Sequence, residues 1–173
     1  MRHVNPVRPS PASGKRRALP AELPELPALF VLEPGMALAA RTVASWKPIT
    51  TLQVLGGLEH IRDLSVRWTL EHGICHLGAR TVVVCAEGFA PPSAIGEGAR
   101  VLASCHRLVE DAQLGPMLRD RHVAVEALYF DRSDGNVYRW VSSARQFERL
   151  QGASQTAFFD AIHKRRLEPV RVA

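Results

Sequence analysis

Cysteine is scarce in this 173-residue chain: Cys75, Cys85 and Cys105 are an odd number at irregular spacing. That pattern suits reduced thiols in a cytoplasmic protein better than a disulfide framework. No apolar run approaches the ~20 residues that a bilayer-crossing helix needs, so no membrane span is expected. The basic residues near the amino terminus have no apolar stretch behind them, which argues against a secretory signal. No internal repeat is evident. What is present is the composition of a globular domain, with 46% hydrophobic and 23% charged residues. The length suits one domain with a sizeable core.

The formal net charge is +5, but the excess is concentrated at the ends, which weakens any inference about the folded body. Arg2, Arg8, Lys15, Arg16 and Arg17 precede the first predicted element, and Lys164, Arg165, Arg166 and Arg171 crowd the last residues. Half of the twelve prolines lie before residue 28. Proline removes backbone donors and favours extended chain, so residues 1–28 read as a disordered or draped arm and residues 29–173 as the domain. Within the arm, Lys15, Arg16 and Arg17 offer contacts to an acidic protein surface or to nucleic acid, although a solvated tail is the simpler account of such a charge run.

From Leu29 the pattern becomes globular. Residues 28–32 predict a first strand and residues 50–55 a second. Leu58 to about Leu77 carries apolar residues mixed with charges, as an amphipathic helix does, with Asp63 or Ser65 to cap its start and Gly78 to end it. Thr81 to Cys85 is a β-branched run of the kind buried in parallel sheets. The glycines and prolines of 86–98 predict an irregular loop. A helix is expected from about Glu97 or Ala99 to Gln113, stopped or bent by Leu114-Gly115-Pro116, with a helical turn at Met117 to Arg121. A strand follows at Val123 to Phe130, then a turn at Asp131 to Gly135, a hairpin partner at Asn136 to Val141 and a last helix near Gln155 to Arg166. This order predicts an α/β fold with a mainly parallel central sheet, an antiparallel edge and flanking helices.

Two segments carry a family resemblance. SVRWTLEHGICHLGARTVVVCAEG, Ser65 to Gly88, resembles the helix-to-strand segment of β-class carbonic anhydrases, where an S-L-E-Y-A-V helix and an L-G-V turn lead to V-C-G-H-x-x-C-G. Cys105 to Trp140 resembles that family's later helix, P-L-L turn, strand and hairpin. The resemblance implies the β-carbonic anhydrase fold and a dimer or a multiple of dimers, with the amino-terminal arm draped over a neighbouring subunit. It also implies where zinc would sit, held by a C-x-D-x-R motif after the first strand and an H-x-x-C motif after the third. There the metal lowers the pKa of bound water to about 7, so that hydroxide attacks carbon dioxide. Laid on this sequence, Glu87 takes the histidine position and Ala90 the cysteine position. Leu32 to Met36, LEPGM, holds neither cysteine nor aspartate, and Arg41 lies too late for the arginine. The resemblance thus implies the fold together with an erased zinc site, and no cofactor is expected.

Several residues invite chemistry. Cys85 is a candidate nucleophile if a base or positive field forms its thiolate, and a packing residue otherwise. Glu87, at a strand end, is a candidate general base or ligand, or the partner of an arginine in the vacated pocket. Cys75-His76 and Cys105-His106 are ligand types, but adjacent helix residues point about 100° apart, which argues against one shared ion. Asp131 to Gly135 resembles half a calcium loop without its distal acid, and a turn accounts for it better. Trp46, Trp68 and Trp140 are expected as core or interface anchors.

The expectation is a catalytically degenerate protein acting as an assembly, scaffold or regulatory subunit of a larger complex and pairing with itself. The alternative is a carbonic anhydrase or other small-molecule hydrolase with a site rebuilt around Glu87, with zinc if that site is metal-dependent.

Overall fold

The computed structural model describes residues 28–32, 35–45, 51–55 and 63–167, with side chains left aside at 51–55 and 163–167. The arm with Lys15, Arg16 and Arg17, and also Trp46 and His60, lie outside the described residues.

Among the described residues, six strands form one sheet in the order β2-β1-β3-β4-β5-β6. They are β1 (Ala28–Leu32), β2 (Thr51–Leu55), β3 (Thr81–Gly88), β4 (Ala124–Asp131), β5 (Val137–Val141) and β6 (Gln146–Arg149). β1 pairs in parallel with β2 and β3, and β3 with β4, whereas β5 and β6 add antiparallel. The mainly parallel sheet with an antiparallel edge is therefore as expected. The edge is one strand wider than predicted, because Gln146–Arg149 has no apolar alternation to mark it.

The helices of the described residues that flank the sheet are α1 (Ala37–Ser45), α2 (Leu64–Cys75), α3 (Ala99–Glu110), α4 (Leu114–Asp120) and α5 (Gly152–Leu167). The period-2 alternation of the strands divides the core in two. Leu29, Val31, Val82, Val84 and Ala127 pack with Val66, Leu70 and Ile74 of α2, Val101 and Leu108 of α3, and Leu114 and Leu118 of α4. Phe30, Leu32, Val83, Cys85, Leu128 and Phe130 face the other way, against Ala39 and Val43 of α1 and Phe158 and Ile162 of α5. With helices on both faces, no position of the Thr81–Cys85 run meets water, which explains its unbroken apolar character.

Local chemistry corrects some expected boundaries. α1 was not predicted, since nine residues with two buried side chains make a weak pattern. Leu114-Gly115-Pro116 begins a helix instead of breaking one: Asp111 Oδ1 accepts the N–H groups of Gln113 and Leu114 at 3.0 and 2.9 Å. Pro116 then falls in the first turn, where a missing N–H costs nothing. Gly78 does end α2, at φ 71°, a left-handed conformation that suits glycine.

The chain leaves β1 toward β2 on one side, then crosses back over β1 to reach β3 on the other. The carboxyl ends of β1 and β3 therefore flank the point where strand order reverses, which is where open α/β sheets hold ligands.

Candidate functional site

β3 continues three residues past Cys85, to Gly88. Alternation sends Val83, Cys85 and Glu87 toward α1 and α5. Cys85 is buried, and burial followed by the nearby Cys105 pushes its thiol well above the usual range. Its Sγ has a long contact of 3.9 Å to Val83 O. These surroundings hold Cys85 as a neutral packing residue, because nothing there favours thiolate.

Glu87 is bound at both oxygens. Oε2 accepts the backbone N–H of Ala39 at 3.1 Å, and Oε1 lies 3.1 Å from Arg132 Nε. The carboxylate side chain is only 4% exposed, whereas Arg132 is 46% exposed. Ala39 belongs to the first turn of α1, whose N–H groups lack partners within the helix. α1 has no acidic residue in that turn, and Met36 before it has no side-chain oxygen. Glu87 thus supplies from β3 the cap that the local sequence omits, with its charge at the favourable end of the helix dipole.

Arg132 is placed by the end of β4. Gly88 and Asp131 are register partners, and Arg132 N–H donates to Gly88 O at 2.7 Å. The guanidinium lies 4.7 Å from the Phe89 ring centroid, a cation–π contact that closes its outer side. The arginine partner expected for Glu87 is therefore realised by Arg132. Ala39 had no signal in the sequence, since a backbone donor can come from any residue except proline.

On the opposite face of the sheet, Tyr129 packs its hydroxyl against Gly88. A Cβ at Gly88 would stand 2.0 Å from Tyr129 Oη and 3.0 Å from Glu97 Oε2. Burial, then the Glu97 and Asp131 charges, push the phenol up, while the Ala90 backbone N–H pulls the other way. Asp131 Oδ1 accepts the Ser133 N–H at 2.9 Å and the Ser133 hydroxyl at 2.6 Å, and Asp134 Oδ1 accepts the Asn136 N–H at 2.8 Å. The half calcium loop is thus a tight turn whose carboxylates serve its own backbone.

Cys75 and Cys105 do not meet. Cys75 Sγ faces Met117 on α4, and Cys105 Sγ faces Glu126 O on β4. Trp140 packs against Phe147 with ring centroids 5.2 Å apart. Trp68 is no core residue: it is 64% exposed on α2.

No family model matches the sequence, and no curated protein is significantly similar to it. The structure is similar to the β-carbonic anhydrase CafD of the filamentous fungus Aspergillus fumigatus, with 13% identity, 72% of this chain and 92% of that chain covered, and a TM-score of 0.50. A mutant of that enzyme aligns at 14% identity over 73% and 92% of the two chains, also with a TM-score of 0.50. The chain has the β-carbonic anhydrase fold. A tetrameric β-carbonic anhydrase of the ascomycete Sordaria macrospora aligns less closely, with 13% identity over 66% and 81% and a TM-score of 0.49.

Zinc does not fit the residues that this β-carbonic anhydrase fold presents at the end of β3. Both oxygens of Glu87 are committed, and Ala90 has no ligating side-chain atom. Among the described residues, no group of three His, Cys, Asp or Glu is placed to hold a metal ion.

Proposed function

We propose that this is a catalytically degenerate protein of β-carbonic anhydrase fold, acting as a non-catalytic assembly, scaffold or regulatory subunit of a larger complex and associating with itself. One observation carries the reading: the Glu87 carboxylate, at the strand end where the resemblance puts a zinc ligand, is neutralised by Arg132 and occupied by the Ala39 N–H. A general base must be reached by substrate and a zinc ligand by the metal, whereas the Glu87 side chain is 4% exposed and has a partner at each oxygen. Glu87 instead joins α1, β3 and the β4–β5 turn. That contribution is to the framework, and the same arrangement disfavours a hydrolase rebuilt around Glu87.

The test is zinc analysis of the purified chain together with stopped-flow hydration of carbon dioxide. Absence of stoichiometric zinc and a rate equal to the buffer blank are expected; stoichiometric zinc with metal-dependent turnover would overturn the proposal. Affinity capture with the intact chain and with one lacking residues 1–27, which leaves β1 whole, then reads the scaffold role. A discrete complex should be recovered with the intact chain and lost with the truncated one if the basic arm makes the contact.

A further inference from the structure

The outer surface of α2 gathers metal-ligating side chains away from the end of β3. Trp68, His72 and His76 follow one another at four-residue spacing and therefore share a helix face. The Trp68 and His72 rings stack at 4.9 Å between centroids, and the His72 and His76 rings lie 5.1 Å apart. Cys75, three residues after His72, turns toward α4, where its Sγ stands 3.4 Å from Met117 Sδ. These five side chains and Glu71 line a cavity of about 190 Å³.

With metal–sulfur bonds of ~2.3 Å, two sulfurs on one ion stand at most ~4.6 Å apart, so the Cys75–Met117 separation already suits a shared ion. The two sulfurs belong to residues 42 apart in sequence, on different helices. Although among the described residues no group of three His, Cys, Asp or Glu is placed for a metal, the thioether of Met117 adds a donor of another kind. A thioether is a poor ligand for hard cations, and with thiolate and imidazole it selects copper(I).

We propose that Cys75, Met117 and an imidazole from His72 or His76 form a binding site for a soft monovalent metal ion of the copper(I) class. On binding, Cys75 coordinates as thiolate and releases its proton to solvent, and the Met117 and histidine donors bind as neutral ligands with no change in the oxidation state of the metal. His72 reaches the ion by leaving its stack on Trp68, which couples occupancy to the indole. The other thiols are poor competitors: Cys85 is fully enclosed, and Cys105 is pushed up to about 12 by burial and by Glu126. The site lies on the opposite face of the sheet from Glu87, so its test is independent of the reading given above.

The experiment is anaerobic titration of the reduced full-length protein with copper(I) against a chromogenic copper(I) chelator. One ion per chain should be withdrawn from the chelator. Met117→Leu keeps the volume and the fold while removing the thioether. It should weaken binding by more than about 100-fold, beyond what loss of a merely orienting group costs. Cys75→Ser should abolish binding, and the double variant His72→Gln, His76→Gln should weaken it. Failure of the protein to compete with the chelator would overturn the proposal, as would wild-type affinity in Met117→Leu. Zinc(II) bound by the wild type, lost in Cys75→Ser and retained in Met117→Leu would overturn the assignment to a soft ion.

Discussion

Glu87 and Ala39 are 48 residues apart in the chain, yet the Glu87 carboxylate accepts the Ala39 amide N–H at 3.1 Å. A residue at the end of β3 thereby caps α1, the helix that follows β1. Because Arg132 holds the other oxygen, three segments that share no local sequence meet on one buried carboxylate.

This junction should behave as a coupled unit. Arg132→Met leaves the Glu87 carboxylate buried with a single donor and should lower stability by about 1–3 kcal/mol, the cost of an unsatisfied buried group. Placing Glu87→Gln on that background removes the unpaired charge and should recover part of the loss. Urea unfolding of the two single variants and the double measures the coupling, and strict additivity would show that the pair is not energetically linked.

Hydrogen exchange reads the cap itself. In Glu87→Ala the Ala39 amide loses its acceptor, so α1 should exchange faster while the interior of β3, enclosed by helices on both faces, keeps its protection. Uniform acceleration through the whole sheet would place the role of Glu87 in global stability instead.

Gly88 should tolerate no side chain. A Cβ there would meet Tyr129 Oη at 2.0 Å and Tyr129 Cζ at 3.0 Å, so Gly88→Ala should cost about 1–3 kcal/mol by overpacking. Tyr129→Phe removes the nearest atom and should restore part of the stability of Gly88→Ala, measured as a shift in thermal midpoint. No rescue would mean that the strain lies in the backbone.

The three thiols should separate by reactivity. Cys85 and Cys105 are both pushed up by burial, Cys105 to about 12 from an ordinary 9.0. Near pH 8 a thiol reagent should modify Cys75 first and the other two only on unfolding, as peptide mapping after timed labelling would show. The same shift makes the fold sensitive to alkali. Cys105 stays protonated in the folded state where the unfolded chain ionises, so its contribution is complete below about pH 9 and is lost as pH rises toward 12. Cys105→Ala should flatten the alkaline decline in the unfolding midpoint.

Much of the architecture was legible in the sequence. The Thr81–Cys85 run, the amphipathic spacing of Val66, Leu70 and Ile74, and the turn at Asp131 to Gly135 mark a mainly parallel sheet with an antiparallel edge, because hydrophobic period and turn chemistry are local properties. The short α1, the polar β6 and the restart of the helix at Leu114 were not legible. Nine residues carry too little periodicity, β6 offers no buried alternation, and Gly115-Pro116 reads as a stop although Asp111 Oδ1 accepts the Gln113 and Leu114 N–H groups just ahead of it.

At the candidate site the division falls between residue type and residue partner. The sequence by itself determined that the end of β3 carries a glutamate and an alanine in place of zinc-ligand types, and that an arginine partner was a reasonable expectation for Glu87. Only the tertiary structure decided that this arginine is Arg132, that the second partner is the amide of Ala39, that Trp68 faces outward, and that Cys75 meets Met117. These pairings span tens of residues. They depend on strand order and on the alternation of side chains across a formed sheet, neither of which exists until the distant segments have packed.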